Sequence, residues 1–443
     1  MTSNVDKGKA NWLSNFFSRD IKTLISATMV ILLFKVIGAV CGFLLSILIT
    51  RHLAVGEVGT YFFILSIVAI IASLTRCGVD NAITREVARY AKINKFDSIR
   101  CVYSCVIKLI GIVSVLVGGC LLVFNKPFIT LLNISQNINF YYLMFLPFLT
   151  ALLAIHIQFF QGLRKTSTYA VLNLLVRPIQ LILLLLFVFI SSVLTIQLVL
   201  FSQILALSIT LLLAFFGLQH VISQKDNSVT ENGNTTKVKT DLYSLLPSMW
   251  FASLFVIVME QAGQFLVGVL SSPQESALYG VAVRIAVIVS FVVMAFNNAI
   301  SPIYAQLYAE GKISVLRNLY IKETLIRIMI IIPMLFLVLY FARDILLFFG
   351  EEYLAAETVL LWLVIGKMIN TIVGPTGTLL MMSEQHSAQR NNLLLSAVIL
   401  IVACFYLVPL SGAIGAAQAV CFSVILNNIF GLYQITQSVF RKS

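Results

Sequence analysis

Charged side chains are scarce in this sequence of 443 residues. Asp, Glu, Lys and Arg together make up 11% of it, whereas a soluble domain carries about 25%. So few charges cannot cover a water-facing surface, and the mean hydropathy of +0.98 agrees. No stretch outside the apolar segments is long enough to fold alone as an enzyme domain. The composition therefore excludes a soluble protein and predicts a polytopic membrane protein.

Metal ligands and nucleotide-binding motifs are also missing. The four histidines show no metal spacing, and the seven cysteines contain no CxxC pair and lie in or beside apolar segments. We therefore expect buried thiols rather than disulfides or ligands. Gly366-Lys367 is followed by Met368, so it does not complete a P-loop. The sequence predicts no cofactor, no metal and no nucleotide.

The apolar residues divide into twelve predicted membrane spans, since one span takes roughly 20 residues. We predict them at 23–49, 60–83, 101–124, 140–161, 169–191, 193–221, 245–270, 278–305, 320–342, 357–382, 392–410 and 414–435. The one hydrophilic interruption, near residues 223–240, separates six spans from six. The predicted organisation is an interfacial N-terminal segment at 1–22, an N-lobe at 23–222, a cytoplasmic linker loop at 223–243, a C-lobe at 244–437 and a cytoplasmic tail at 438–443.

The distribution of Lys and Arg predicts the orientation of these spans. Twenty of the 30 lie in the segments on one side, and only Arg51, Lys126 and Arg343 lie in the loops on the other. By the positive-inside rule both termini are cytoplasmic. No cleavable signal peptide is expected before the first span. The net charge of +12 therefore reflects topology and contact with anionic lipid rather than nucleic-acid binding.

The two halves show an internal similarity. Tyr61 and Asn81 lie 20 residues apart around the second span, and Tyr279 and Asn298 lie 19 residues apart around the eighth. Because each half has an even number of spans, the halves would be parallel repeats related by an axis along the membrane normal. Such repeats place a substrate path between the halves, near the bilayer midplane.

Apart from Lys322, Glu323 and Glu357 at the starts of two spans, seven cations and two acids fall inside the predicted spans. A charge there costs roughly 2.5 to 3.5 kcal/mol on insertion scales. Such residues face a bundle interior or a wet cavity, unless they reach the headgroups along their aliphatic stems. Lys108 and Arg327 lie close to the cytoplasmic side, and we expect them to be structural. The predicted substrate-binding residues are Lys35, Arg76, Arg177, Arg284, Asn173 and Asn298.

Glu260 and Lys367 are the deepest charges of opposite sign. A paired buried charge is far less costly than a lone one, so we predict that they lie close together as a static strut or as a coupling or gating pair. Asp80, four residues after Arg76, is the third candidate for coupling or gating. The seven cations and two acids singled out inside the spans sum to +5, which favours an anionic passenger, such as a pyrophosphate-bearing lipid or an acidic glycan.

Three short motifs carry a resemblance to a known family. They are the hairpin RHLAVGEVGTY at 51–61, the helix exit GVDNAITRE at 78–86 and GLRK at 162–165. The chain resembles the polysaccharide transporter family of the multidrug/oligosaccharidyl-lipid/polysaccharide (MOP) exporter superfamily, specifically the O-antigen flippases, over essentially its whole length. The resemblance implies an all-α polytopic membrane protein with twelve transmembrane helices in two parallel-repeat six-helix lobes. It also implies a MATE-like V around a cationic cavity.

The same resemblance implies a transporter rather than an enzyme. Its passenger would be an undecaprenyl-pyrophosphate-linked oligosaccharide, moved from the cytoplasmic to the periplasmic leaflet of a bacterial inner membrane by alternating access. H+ or Na+ would be the coupling ion, and the glycan polymerase and chain-length machinery are candidate partners. Two alternatives stay open: a cation-coupled small-molecule or drug exporter, and a membrane glycan polymerase.

Overall fold

The computed structural model describes residues 33–93, 95–124, 140–191, 193–223 and 235–442. In these ranges the regular elements are helices and there is no strand. Within the described residues, eleven helices are long and apolar enough to cross a membrane, judged by length and composition. The chain is thus an all-helical, multi-pass membrane protein, as the composition predicted. The predicted interfacial segment at 1–22 lies outside the described residues.

Seven helices form the described part of the N-terminal half. They are α1 (Leu33–His52), α2 (Val55–Arg76), α3 (Val79–Lys92), α4 (Phe96–Val123), α5 (Tyr141–Gly162), α6 (Thr166–Ser191) and α7 (Ile196–Ser223). All except α3 are candidate spans. The α3 helix is more polar than its neighbours and carries basic residues in its last turn.

The C-terminal half contains seven further α-helices. They are α8 (Thr235–Leu270), α9 (Pro273–Ala309), α10 (Ile313–Tyr340), α11 (Ala342–Phe349), α12 (Glu357–Val373), α13 (Thr376–Met382) and α14 (His386–Gln434). A 3-10 segment, Glu351–Ala356, precedes α12. Helix α8 starts at Thr235, inside the segment predicted as a linker loop. The polar composition of that segment suggested a loop, but it is equally compatible with a helix that extends into water.

Two predicted spans are interrupted in the structure. The second was predicted to run to residue 83, but α2 ends at Arg76 because Cys77 and Gly78 adopt left-handed backbone angles, with φ of 48° and 73°. The tenth was predicted to run unbroken from 357 to 382. It divides at Gly374 and Pro375, where φ of Gly374 is 91° and proline supplies no backbone N–H.

The last long helix, α14, contains a break of its own. Ser411 and Gly412 have non-helical backbone angles, and Pro409 lies just before them. The two parts on either side of the break match the predicted spans at 392–410 and 414–435. Glu275, in the first turn of α9, accepts a hydrogen bond from the Ala413 amide at 2.7 Å. This carboxylate therefore caps the second part of α14.

The two halves pack against each other through residues that the internal repeat equates. With Tyr61 aligned to Tyr279, Gly59 corresponds to Ala277 and Phe62 to Gly280. A Cβ built on Gly59 would lie 2.9 Å from the Ala277 amide nitrogen, and one on Gly280 would lie 2.8 Å from Cγ of Phe62. Equivalent residues meet in this way beside a two-fold axis. The contacts agree with the predicted parallel repeat.

Further contacts hold the halves together at the predicted outer ends of α2, α8 and α9. The Ser276 hydroxyl donates to the Gly59 carbonyl at 3.1 Å and accepts from Gln264 Nε2 at 2.8 Å. A Cβ on Gly59 would also overlap the Pro273 carbonyl, and the Phe63 ring packs onto Gly268. Because no side chain separates the backbones of α2 and α9 at Gly59, the halves are in direct contact there.

Candidate functional site

A cavity of about 400 Å³ lies between the two halves. Five of its lining helices, α1, α2, α6, α8 and α9, come from both lobes, and α7 contributes one side chain. The location agrees with the path predicted from the repeat. The polar lining residues are Ser46, Tyr61, Ser66, Asn173, Arg177, Gln180, Gln203, Glu260, Gln261, Gln264, Tyr279 and Arg284.

Arg177 lies on α6, and its side chain rests against α1. A Cβ on Gly42 would overlap the Arg177 guanidinium, and one on Gly38 would lie 3.1 Å from Cδ1 of Leu174. Small residues spaced four apart let two membrane helices approach closely, and Gly42 also makes room for the arginine. Among the described residues, Arg177 has no hydrogen-bond or ion-pair partner. Its charge is therefore available to a ligand.

Arg284, in contrast, is firmly anchored between the halves. Its Nε donates to the Ser46 hydroxyl at 3.1 Å, and its Nη1 donates to the Gly280 carbonyl at 3.0 Å. Its guanidinium carbon lies 3.6 Å from the centre of the Phe62 ring, a cation–π contact that is strongest away from water. Arg284 and Arg177 also act on each other electrostatically. Together they give the cavity a concentrated positive charge.

A buried hydrogen-bonded group stands beside the two arginines. The Tyr61 hydroxyl donates to Gln203 Oε1 at 3.0 Å, and Gln180 Nε2 donates to the same oxygen at 3.3 Å. Gln180 lies on α6 together with Asn173 and Arg177, and all three line the cavity. Sequence reasoning missed Gln203 and Gln264, although polar residues within an apolar helix were a usable signal.

Three more of the charged residues predicted for the site make different contacts. Glu260 lines the cavity, whereas Lys367 Nζ donates to the Ser290 hydroxyl at 2.8 Å. Glu260 and Lys367 act on each other electrostatically, but the described residues show no direct ion pair between them. Lys35 Nζ lies 3.1 Å from Sδ of Met294 on the opposite half. Neither lysine lines the cavity.

Arg76, Asp80 and Asn298 lie outside the cavity lining. Arg76 Nη1 and Asp80 Oδ2 are 2.8 Å apart, so the i,i+4 ion pair expected from the sequence is formed. Because Arg76 ends α2 and Asp80 lies in the first turn of α3, the pair joins the helices on both sides of the break. Asn298 is exposed, and its neighbour Asn297 instead accepts a hydrogen bond from Arg327.

Arg327 is the centre of a buried ionic group in the C-terminal half. It is 1% exposed, its Nε donates to Glu323 Oε1 at 2.9 Å, and its Nη2 donates to Asn297 Oδ1 at 2.9 Å. Glu323 neutralises the guanidinium, and Asn297 accepts a further hydrogen bond from it. The geometry fits the structural role that the sequence predicted for Arg327.

The chemistry of the cavity follows from these groups. Two guanidiniums and one carboxylate leave the lining net positive, and amide and hydroxyl groups surround them. The described residues contain no group of three or more His, Cys, Asp or Glu side chains that could hold a metal ion. The arrangement is suited to holding an anionic, hydroxyl-rich molecule by charge and hydrogen bonds.

Comparisons with known proteins agree with this geometry. The polysaccharide biosynthesis protein family profile matches residues 24–308, and the MatE profile matches residues 248–381. No curated protein shows a significant sequence match.

Several solved structures share the fold at low sequence identity. One is an inward-facing MATE multidrug transporter of the MOP superfamily (TM-score 0.72, 13% identity, 92% of this chain and 96% of that one). Another is the lipid II flippase MurJ in an inward closed conformation (0.67, 13%, 91% and 87%). A third is a MOP transporter from Pyrococcus furiosus (0.61, 13%, 95% and 97%). The chain therefore belongs to the polysaccharide biosynthesis protein family, and it shares the fold of these MOP-superfamily transporters.

Proposed function

We propose that this protein is a flippase for undecaprenyl-pyrophosphate-linked oligosaccharide, the repeat unit of O-antigen or a similar surface polysaccharide. It moves this lipid from the cytoplasmic to the periplasmic leaflet of a bacterial inner membrane, with both of its termini in the cytoplasm. The observation that carries the proposal is the pair Arg177 and Arg284 in a cavity between repeat-related halves. Among the residues that the structure describes, Arg177 has no partner there, whereas Arg284 is fixed by hydrogen bonds.

A pyrophosphate matches these two groups chemically. The guanidinium fork binds phosphate oxygens in pairs, and Arg177 presents its fork without an internal competitor. The amides of Asn173, Gln180 and Gln261 are donors and acceptors suited to sugar hydroxyls. A volume of about 400 Å³ is at the lower end for ligand sites. The pyrophosphate and the first sugar occupy it, and the remaining glycan extends through its opening.

Alternating access fits the contacts between the halves. The direct backbone contact of Gly59 with Pro273 closes the predicted outer ends of the lobes. Opening the cavity to the periplasm requires this contact to separate, and the repeat provides two similar bodies that can rock against each other. The structure would then represent the state that receives the lipid from the cytoplasmic leaflet.

Glu260 is the proposed coupling residue. It is the one carboxylate among the described residues that line the cavity, and the charge of Lys367 acts on it. Binding of H+ or Na+ at Glu260 would make the cavity more positive and strengthen its hold on the anionic passenger, whereas loss of the ion would favour release of the passenger. Glu260→Gln should remove the dependence of transport on the ion gradient. Unchanged transport and unchanged pH dependence in this variant would exclude Glu260 from coupling.

Deletion of the gene followed by lipid analysis tests the proposed function. Single undecaprenyl-linked repeat units should accumulate on the inner leaflet and should disappear when the wild-type protein is restored. Accumulation on the outer leaflet would instead indicate a glycan polymerase. The glycan polymerase and the chain-length machinery act after this step, so their loss should not trap the lipid inside.

A second candidate function is cation-coupled export of small molecules. The MatE profile match at 248–381 and the carboxylate of Glu260 in the cavity favour it. The two arginines disfavour the cationic compounds that a negatively charged site would hold. Increased drug sensitivity of the deletion strain, with normal surface glycan, would support the exporter over the flippase.

A further inference from the structure

A second cavity, of about 290 Å³, opens at the predicted cytoplasmic face of the N-terminal half. It lies where the end of α3, the start of α4, the end of α5 and the end of α7 meet. Three of its lining residues are cationic: Lys92, Arg164 and Lys165. We call this cavity the basic pocket.

The basic pocket combines its cations with an apolar floor. Ala88, Ala91, Phe96, Leu163 and Val221 supply the apolar lining. A site with positive charge at its rim and hydrocarbon beneath is amphipathic, as is a lipid at the edge of a bilayer. Its volume is just below the usual range for ligand sites, which suits one lipid headgroup and excludes an oligosaccharide.

The nearby acids do not neutralise the pocket. Glu86 pairs with Arg89 at 3.3 Å, and Asp97 pairs with Arg100 at 3.6 Å. Among the described residues, the side chains of Lys92, Arg164 and Lys165 have no ion-pair partner. Three unpaired cations around one cavity repel each other, so an anion that enters it relieves that repulsion.

Two helix starts add to this positive potential. Phe96, which lines the pocket, is the first residue of α4, and no side chain caps that helix start. Lys165 directly precedes the first residue of α6. The amino end of a helix carries partial positive charge and free N–H groups that favour phosphate. The helix starts and the three cations therefore act on the same small volume.

We infer that the basic pocket is a binding site for the phosphate headgroup of an anionic phospholipid of the cytoplasmic leaflet. Basic pockets between membrane helices on this side are suited to such headgroups. The site is separate from the central cavity between the lobes, and its occupation does not depend on the proposed passenger. The lipid would join the connection after α3 and the connection after α5 to the membrane surface.

The test is native mass spectrometry of the full-length protein purified from membranes containing phosphatidylglycerol. The wild type should retain one such lipid per chain. The triple variant Lys92→Gln, Arg164→Gln, Lys165→Gln should bind it about 100-fold more weakly, since each cation near an anionic surface contributes about a factor of five. The retention should also weaken at high salt.

A matched control removes three exposed cations elsewhere on the same predicted face: Arg317→Gln, Lys322→Gln, Arg390→Gln. Lys312 is not used, because it already forms an ion pair with Glu310 at 2.7 Å. This pairing lowers the pKa of the Glu310 carboxyl. The control triple should keep the lipid. Equal loss in both triples would overturn the site and indicate diffuse attraction to the membrane.

Arg164→Gly separates binding from folding. Arg164 has a left-handed backbone, with φ of 56°, which glycine adopts without steric cost. This variant should keep the wild-type thermal stability in lipid-free detergent and retain the lipid about five-fold more weakly. Undiminished retention would overturn the role of Arg164. Stabilisation by millimolar inorganic phosphate equal to that by the phospholipid would overturn the lipid assignment in favour of a free anion.

Discussion

The Phe62 ring packs onto Gly280, the residue that the internal repeat pairs with it. The same ring also carries the guanidinium of Arg284 on its face. One aromatic side chain thus takes part in the contact between the halves and in fixing a cation of the cavity. Closure of the lobes and the charge presented to a ligand are connected at Phe62.

The cation–π contact predicts a measurable coupling between Arg284 and Phe62. In a double-mutant cycle with Arg284→Gln and Phe62→Leu, the coupling energy should be about 1 to 2 kcal/mol, because the contact is shielded from bulk water. Thermal unfolding in detergent gives the four stabilities. The control cycle replaces Phe62→Leu by Phe187→Leu, an aromatic residue stacked on Phe201. Equal coupling in both cycles would contradict a specific contact.

The backbone contact at Gly59 predicts that added volume will open the outer ends of the lobes. Gly59→Val should shift the conformational equilibrium by about 10-fold or more, because overpacking costs roughly 1 to 3 kcal/mol. Ser276→Cys in a cysteine-free background then reports opening through faster labelling by an impermeant maleimide. Gly56→Val is the control, since a Cβ there meets its nearest neighbour at 3.6 Å. Unchanged labelling of the Gly59 variant would show that the contact does not limit opening.

Neutralising the unpartnered arginine should stop export. We expect Arg177→Gln to lower flipping by about 10- to 100-fold, since charge-assisted hydrogen bonds contribute roughly 1.5 to 3 kcal/mol. Lys35→Gln should also impair export, because it removes the Lys35 contact with Met294 of the opposite half rather than a cavity-lining cation. Both proteins should reach wild-type levels. Surface glycan is the readout, with Lys108→Gln as the control for an exposed cation within a span. Wild-type export by both Arg177→Gln and Lys35→Gln would reject the assignment of these cations.

The buried ionic group around Arg327 should matter for stability rather than transport. Arg327→Met leaves Glu323 buried without its partner, which should cost about 3 to 5 kcal/mol. Adding Glu323→Gln should recover part of this loss, because no uncompensated charge remains. The comparison is Arg343→Met, which breaks the exposed pair with Glu357 and should cost less than about 1 kcal/mol. Similar losses in both single variants would argue against a special role for the buried pair.

Much of the fold was predictable from the sequence, because a bilayer demands long apolar helices and leaves few alternatives. Individual breaks were not predictable in the same way. Cys77 and Gly78 reverse the backbone inside a stretch that reads as one apolar span, and hydropathy carries no information on two backbone angles. The repeat was visible in the sequence because Tyr61 and Tyr279 occupy the same position, and both line the cavity.

The cavity residues were only partly predictable. Arg177, Arg284, Asn173 and Glu260 were identified because each is polar in an apolar helix, and all four line the cavity. Asn298 satisfied the same criterion but lies outside the cavity lining. The sequence alone did not exclude it, because helical phase does not show which neighbouring helix a face contacts. Gln203 was not predicted as a cavity residue. It lines the cavity beside its hydrogen-bond partner Tyr61, which is 142 positions away in the sequence.

The carboxylate of Glu275 has a mechanical consequence. It caps the second part of α14 at Ala413, while Pro273, two residues earlier on α9, touches Gly59 of the opposite half. The first turn of α9 thus contacts both the opposite lobe and the second part of α14. A tilt of α9 would therefore move the part of α14 after Gly412 with it. The non-helical residues Ser411 and Gly412 provide a hinge, so the part of α14 before them need not move.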